Sequence, residues 1–405
     1  MSSSAQRPVR RRRVFYIPGY DPIHPRRYRE LYRKEAAEQA GISGYAIELS
    51  PKKGKSQSRY GWHVTGRIDG ATVEVEVDVL VWADIVRDSM EKGILGTYLL
   101  MLRTAWAYIA SGALFRLMRL RKGPVIAALY PVGFLIVQLL VALGLAWGLG
   151  RLFALLHRLA AWAGLIAVPF VLEWFRRKDN KFFAYYLMHD YAYSAKHRGA
   201  EPPELLARMA QFTHEIDEAL GSDVDEVLVV GHSSGAHLAV SVLSDLIRDG
   251  RVPENGPTLS LLTLGQVVPM VSFLPDAHRL RADLAFLCTR DELSWVDVTA
   301  PGDGCAFALC DPVSVTGVAP AEGKRWPLVL SAAFTQTLSP ERWKALRWRF
   351  FRLHFQYLCA FDQPGDYDYF RITAGPLTLA ARFEGRPPSP SRIERPTSGF
   401  RSVAP

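Results

Sequence analysis

At 405 residues, with 49% hydrophobic content and a net charge of +9, the chain can bury a large core and carries a surplus of cations suited to an anionic partner. Cys288, Cys305, Cys310 and Cys359 form no C-x-x-C pair and no Cys/His zinc spacing, which argues against a metal module and for reduced thiols in a cytosolic compartment. No nucleic-acid motif is visible, and the basic residues crowd around apolar segments, so anionic lipid is the expected partner rather than nucleic acid.

Residues 1–13 are polar and basic, with Arg7, Arg10, Arg11, Arg12 and Arg13. No apolar run follows them, so they are not a secretory signal. They are expected to be a disordered tail, either simply solvated or an electrostatic tether at a membrane surface. Residues 14–18 (VFYIP) read as a buried strand running into Gly19-Tyr20-Asp21-Pro22. Loops at the carboxyl ends of strands build sites in α/β sheets, which makes the Tyr20 amide a candidate oxyanion donor. Residues 26–40 form a charged amphipathic helix stopped by Gly41, and residues 45–49 and 60–85 are strand-like, with a hairpin signal at Asp69-Gly70. Residues 52–59 (KKGKSQSR) read as a solvated loop between them.

The character changes at residue 94. Residues 94–120 are apolar and aromatic with Arg103, Arg116 and Arg119 interspersed, the pattern of an interfacial amphipathic helix. Residues 123–150 carry no charge at all, beyond the roughly 20 residues needed to cross hydrocarbon. A second apolar run contains His157, Arg158 and Glu173 towards its ends and either crosses, with Arg158 snorkelling, or lies in the interface. The candidate spans are 124–148 and 152–174. Arg116, Arg119, Arg121 and Lys122 precede the first, and Arg176, Arg177, Lys178 and Lys181 follow the second, so positive-inside bias puts both outer ends in the cytoplasm.

Two helices follow, at 181–197 and 203–220. Then residues 226–235, EVLVVGHSSG, read as a buried strand ending in a G-x-S-x-G turn, with the helix-like AHLAVSVLSDLIRD directly after. A nucleophilic serine needs such a strained turn, flanked by glycines that let neighbouring backbone pass. Ser233 is therefore the candidate nucleophile, and the Ser234 amide a candidate oxyanion donor. The rival reading is a Gly/Ser-rich turn in an ordinary α/β unit. Residues 259–266 form another buried strand, residues 283–288 (DLAFLC) are expected to begin one more, and residues 340–358 a helix capped by Ser339. Residues 384–405 are rich in Pro, Ser and Arg and are expected to be disordered.

A serine hydroxyl attacks poorly without a base, and the base needs an orienting carboxylate. Beyond the helix after the turn only His278 and His354 remain. His278 sits in a charged, surface-like stretch, so His354 is the preferred base. For the acid, Asp303 in a Pro-Gly-Asp-Gly loop is preferred, Asp311 is its rival, and Asp297 falls where a strand is expected.

The order Ser233, Asp303, His354 resembles the α/β-hydrolases, in their lipase/esterase branch. The resemblance rests on VFYIPGYDP, the nucleophile elbow VVGHSSGAHLA, LSLLTLGQ, the loop W-x-D-x-x-A-P-G-D, and His354. It implies an α/β fold with a mostly parallel sheet flanked by helices, no cofactor and no metal. The hydrophobic insert departs from the family pattern because it precedes the elbow. The expected organisation is a basic tail at 1–13, hydrolase domain at 14–93 and 181–383, a membrane-associated insert at 94–180, and a second tail at 384–405. The expected activity is cleavage of carboxylic, including lipid acyl, esters by an enzyme anchored in the inner (cytoplasmic) membrane by a multi-pass hairpin and facing the cytoplasm. A catalytically silent membrane scaffold and an acyltransferase with the same triad are the alternatives. Chain length of the substrate and oligomeric state are not legible.

Overall fold

The computed structural model describes residues 8–52, 60–90 and 92–404, so the expected 52–59 loop and the first seven residues lie almost wholly outside it. Eight strands form one sheet: β1 (Arg11–Ile17), β2 (Ala46–Pro51), β3 (Tyr60–Ile68), β4 (Ala71–Val79), β5 (Glu226–His232), β6 (Thr258–Leu264), β7 (Leu293–Thr299) and β8 (Leu328–Ser331). Their spatial order is β2-β3-β4-β1-β5-β6-β7-β8. β3 runs antiparallel to β2 and to β4, and every other pair is parallel. The class is therefore α/β with a mostly parallel sheet, as expected.

The sequence explains the layers. β5 is buried along its whole length. Its Leu228 and Val230 join the core on one face of the sheet, and Val227 and Val229 the core on the other. A strand covered on both faces reads as a continuous apolar run, which VLVV is. The Pro203–Leu220 and Gly235–Arg248 helices cover the second face, and the Arg26–Ser43 helix and the C-terminal segment cover the first. The expected hairpin is present, with β3 and β4 paired up to Ile68–Ala71 and both Asp69 (φ 52°) and Gly70 (φ 76°) at positive φ, as a tight two-residue turn demands.

Several expectations need correction. The basic tail does not extend to residue 13: Arg11, Arg12 and Arg13 belong to β1, where each meets a carboxylate. Residues 283–288 are not a strand but the end of the His278–Leu287 helix, because a short apolar run fits either element. The 340–358 helix is broken into Pro340–Leu346, Phe350–His354 and a short 3-10 turn at Gln356–Leu358. The first amphipathic helix ends at Ser43, beyond Gly41. The C-terminal segment is not a free tail: Ser389 N–H donates to the Val329 carbonyl, Ile393 bridges Cys310, and Arg281 donates to the Ser402 carbonyl. Proline-rich chain has no side-chain period to read, yet its remaining amides can still pair along a surface.

The insert contains two helical segments long and apolar enough to cross a membrane, Lys122–Ala154 and Arg158–Arg177, the latter beginning as a 3-10 turn. Residues 94–120 are two helices, Ile94–Ala110 and Ala113–Leu120, bent by 73°. The long segments pack closely: a Cβ on Gly164 would lie 2.7 Å from the Gly150 nitrogen, so small residues set the approach. Ile126, Leu140, Trp147, Leu155, Trp162 and Phe170 point outwards. The base of the insert is fixed to the sheet domain by Tyr108 Oη to the Met270 carbonyl (2.9 Å) and Arg121 Nε to the Ala308 carbonyl (2.8 Å).

Candidate active site

β1 and β5 are neighbours, with Ile17 opposite Gly231, so the turns leaving the two strands meet at one end of the sheet. Ser233 sits at φ +56°, in the left-handed region that a serine rarely occupies. Its own N–H is tied to the Leu264 carbonyl at 2.9 Å. The glycines around it are required by contact: a Cβ on Gly235 would land on the Ile17 carbonyl oxygen, and one on Gly19 would lie 2.9 Å from Ser233 Cβ. Side chains at either position would push the two turns apart. Trp82 Nε1 donates to the Pro18 carbonyl at 2.9 Å and steadies the β1 turn.

The N–H groups of Tyr20 and Ser234 donate to no protein acceptor among the described residues, and both residues line the cavity that holds Ser233. Ser234 stands at the N-terminus of the fourteen-residue Gly235–Arg248 helix, whose dipole adds partial positive charge there. Two amides without a protein acceptor thus belong to residues that line the cavity of the positive-φ serine.

His354 and Asp303 come together as expected. His354 Nδ1–H donates to Asp303 Oδ2 at 2.7 Å, which leaves Nε2 as the basic nitrogen. Asp303 Oδ2 also accepts from Tyr357 Oη at 3.0 Å, and Oδ1 accepts from the Cys305 amide at 2.9 Å. Burial pushes the Asp303 carboxyl up, but the His354 ring and these donors outweigh it and hold the group below its ordinary value. His232 Nε2–H donates to the His354 carbonyl at 3.0 Å and positions that backbone. Burial, reinforced by His354, lowers the His232 pKa to about 3, so this second imidazole stays neutral.

The rival acids are engaged elsewhere. Asp311 caps the Pro312–Thr316 turn by accepting from the Val313 and Ser314 amides at 3.0 Å, and it pairs with Lys324. Asp297 lies inside β7 and accepts from Thr263 at 2.6 Å. His278 contacts Arg281 at 3.1 Å.

Ser233, Ser234, Tyr20 and His354 line one cavity of about 500 Å³. No hydrogen bond joins Ser233 Oγ to His354 in this resting arrangement. Asp303, Cys305 and His354 also place potential metal donors within 4.8 Å of one another. As a ligand set they fit poorly: His354 Nδ1 and Asp303 Oδ2 are spent on each other, and burial raises the Cys305 thiol pKa well above its ordinary value.

The far wall of the cavity comes from the insert and the helix after it, including Tyr108, Pro124, Asp179, Phe183 and Tyr186. Pro124 is the third residue of the Lys122–Ala154 helix, and Asp179 follows the second apolar segment by two residues. Sequence reasoning missed Asp190, on the Ala184–Lys196 helix, because a lone aspartate in AYYLMHDYAYSAK carries no motif. It lines the cavity without a hydrogen-bond or ion-pair partner among the described residues. Burial raises its pKa to about 7, opposed by His354. The folded chain therefore holds an extra proton between the ordinary carboxylate range and about pH 7, and this contribution to stability is lost as pH rises through that window. Asp190→Asn cannot ionise, so its Tm is expected to match wild type near pH 4 and to exceed it increasingly towards pH 8. Melting curves across that range check the sign.

No protein family, curated protein or solved structure matches the chain.

Proposed function

We propose that the chain is a membrane-anchored serine hydrolase of α/β-hydrolase type that cleaves carboxylic esters, lipid acyl esters among them, through an acyl-enzyme. The observation that carries this reading is the conjunction, in one cavity, of a positive-φ serine with His354, whose ring is held from behind by the buried Asp303. In the proposed reaction Ser233 Oγ bonds to the ester carbonyl carbon as its proton passes to His354 Nε2. The oxyanion is received by the Ser234 and Tyr20 amides, and His354 then protonates the departing alkoxide. Water repeats the sequence and frees the acid. In α/β-hydrolases the second oxyanion amide comes from the loop after the third strand, whereas here that loop follows the first strand in the chain while still flanking the elbow strand in space.

The membrane part of the proposal rests on the two apolar segments and on the basic clusters at their outer ends, which favour a cytoplasmic sheet domain on the inner membrane. Pro124, Asp179 and Phe183 in the cavity wall favour a substrate delivered at the base of the hairpin. A second reading, a catalytically silent scaffold, is favoured by the missing Ser233–His354 hydrogen bond. Catalytic hydrogen bonds often tighten only when substrate is bound, so the hydrolase remains the better account. Acyl transfer is a variant in which a substrate hydroxyl replaces water.

A fluorophosphonate probe on the purified full chain decides between them. Wild type is expected to label and Ser233→Ala to lose both labelling and ester turnover. An unlabelled wild type, or label retained in Ser233→Ala, favours the scaffold. Product analysis with a competing alcohol separates transfer from hydrolysis.

A further inference from the structure

The segment that delivers His354 to the site has an outward face that the proposed reaction does not use. Trp348 is 72% exposed and Phe350 48% exposed, five or so residues before the buried His354. Lys344, Arg347, Arg349 and Arg352 surround them, all exposed and none in an ion pair among the described residues. Arg347 lies over the Trp348 ring at 5.6 Å. Single exposed aromatics are ordinary on protein surfaces, but two of them set among four unpaired cations are not.

The placement of the segment is specific. Phe350 packs on Gly304: a Cβ there would lie 3.3 Å from the Phe350 ring. Gly304 in turn touches the start of the long apolar helix, since a Cβ on Gly123 would lie 3.3 Å from the Gly304 carbonyl oxygen. On the other side Phe351 meets Phe183 at 5.3 Å and Tyr186 at 6.3 Å, just beyond the end of the second apolar segment. The segment is thus held between the two ends of the hairpin, at the level where its chain leaves the apolar stretch. The break between the Pro340–Leu346 and Phe350–His354 helices falls at residues 347–349 and turns Trp348 outwards.

We infer that residues 344–352 form a second lipid-contacting surface, in which Trp348 and Phe350 enter the interface and Lys344, Arg347, Arg349 and Arg352 engage the anionic headgroups of the same bilayer. This rests on the reading of the hairpin as membrane-spanning. Tryptophan favours the boundary between water and hydrocarbon, and basic residues beside it are drawn to negative lipid. The surface is mechanically joined to the site, because Trp343 packs on Gly302 and Phe350 on Gly304, the two neighbours of Asp303. Lipid contact therefore bears on the loop that orients the base.

The test uses the full chain reconstituted in phosphatidylcholine vesicles, with and without phosphatidylglycerol, carrying lipids brominated near the headgroup. Tryptophan quenching is compared between wild type and Trp348→Phe. The expected result is a quenched component that disappears in W348F and that grows when phosphatidylglycerol is present. The growth is expected to be lost in the combined K344Q/R347Q/R349Q variant. Trp348→Ala is expected to lower turnover of a vesicle-presented ester several-fold while leaving fluorophosphonate labelling in detergent unchanged. Equal quenching in wild type and W348F, with Trp147, Trp162 and Trp174 still quenched by chain-brominated lipid, overturns the inference and spares the hairpin. If no tryptophan is quenched, the hairpin reading fails and this one with it. Failure of the hydrolase reading appears separately, as an unlabelled Ser233 with the quenching intact.

Discussion

Asp303→Asn is expected to lower kcat for a soluble ester by about 10³- to 10⁴-fold while leaving the fold intact. The reason is the direction of its hydrogen bonds. Asp303 accepts from His354 Nδ1, Tyr357 Oη and the Cys305 amide, so every neighbour it has in the site is a donor. With its oxygen kept on the Cys305 amide, an asparagine turns its NH2 towards both Nδ1 and Tyr357 Oη, so two of these bonds reverse, and the imidazole then carries its proton on Nε2, where the serine needs a lone pair. Asn can keep its oxygen on the Cys305 amide, which is why structure should survive. Because the His354 ring and the three donors hold the carboxyl below its ordinary value, wild-type loss of activity on the acid side should not be set by Asp303. Asp311→Asn is the contrasting variant. It weakens a turn cap and a Lys324 pair, so it should lower Tm and leave kcat within a few-fold. Steady-state kinetics beside melting curves separate the two. If Asp303→Asn keeps more than about a tenth of wild-type kcat, the pair is a structural hydrogen bond and no relay.

How much of this was legible follows from how local each signal is. The turn at Ser233 is written within ten residues, strand before and helix after, and its positive φ is what that pattern predicts. The β1 turn is equally local, and its contact with Ser233 follows once β1 and β5 pair. Asp303 could only be ranked above Asp311, since both sit in loops past a strand, while Asp297 fell where a strand was expected. What decides between them is the reach of His354 across 51 positions of chain. Tyr357 carries no motif of its own, and its bond to Asp303 depends on the break that puts it in a 3-10 turn after the His354 helix. Asp190 was hidden because its burial beside the elbow depends on how the insert and the Ala184–Lys196 helix pack there. The 283–288 run failed as a strand because five apolar-rich residues suit either element, and tertiary packing made the choice.

The run Arg10 to Arg13 misled for a different reason, and its third residue, Arg12, carries the second large prediction. In a strand, successive side chains face opposite ways. Arg11 reaches the exposed Asp223, while Arg12 is driven into the interior, where it and Glu226 are both fully shielded from solvent. There Arg12 Nε bonds Glu226 Oε2 at 2.6 Å, and its remaining donors reach the carbonyls of Thr373, Gly375 and Leu377. Glu226 accepts further from Ser260 Oγ at 2.7 Å and the Leu379 amide at 2.8 Å. The pair thus ties β1, β5, β6 and the C-terminal segment together. Arg12→Met strands a buried carboxylate and unpairs three carbonyls, and is expected to cost about 3–5 kcal/mol, a large part of what holds a domain folded. Arg11→Met removes only an exposed pair and should cost under about 1 kcal/mol. Denaturation of the full chain in detergent tests both. The double variant Arg12→Met with Glu226→Leu supplies the control, because removing both charges deletes the uncompensated one. It should recover part of the loss, although the freed carbonyls limit how much. A single Arg12→Met no less stable than Arg11→Met would mean that β1 is not seated between β4 and β5, and the turn that flanks Ser233 would lose its support as well.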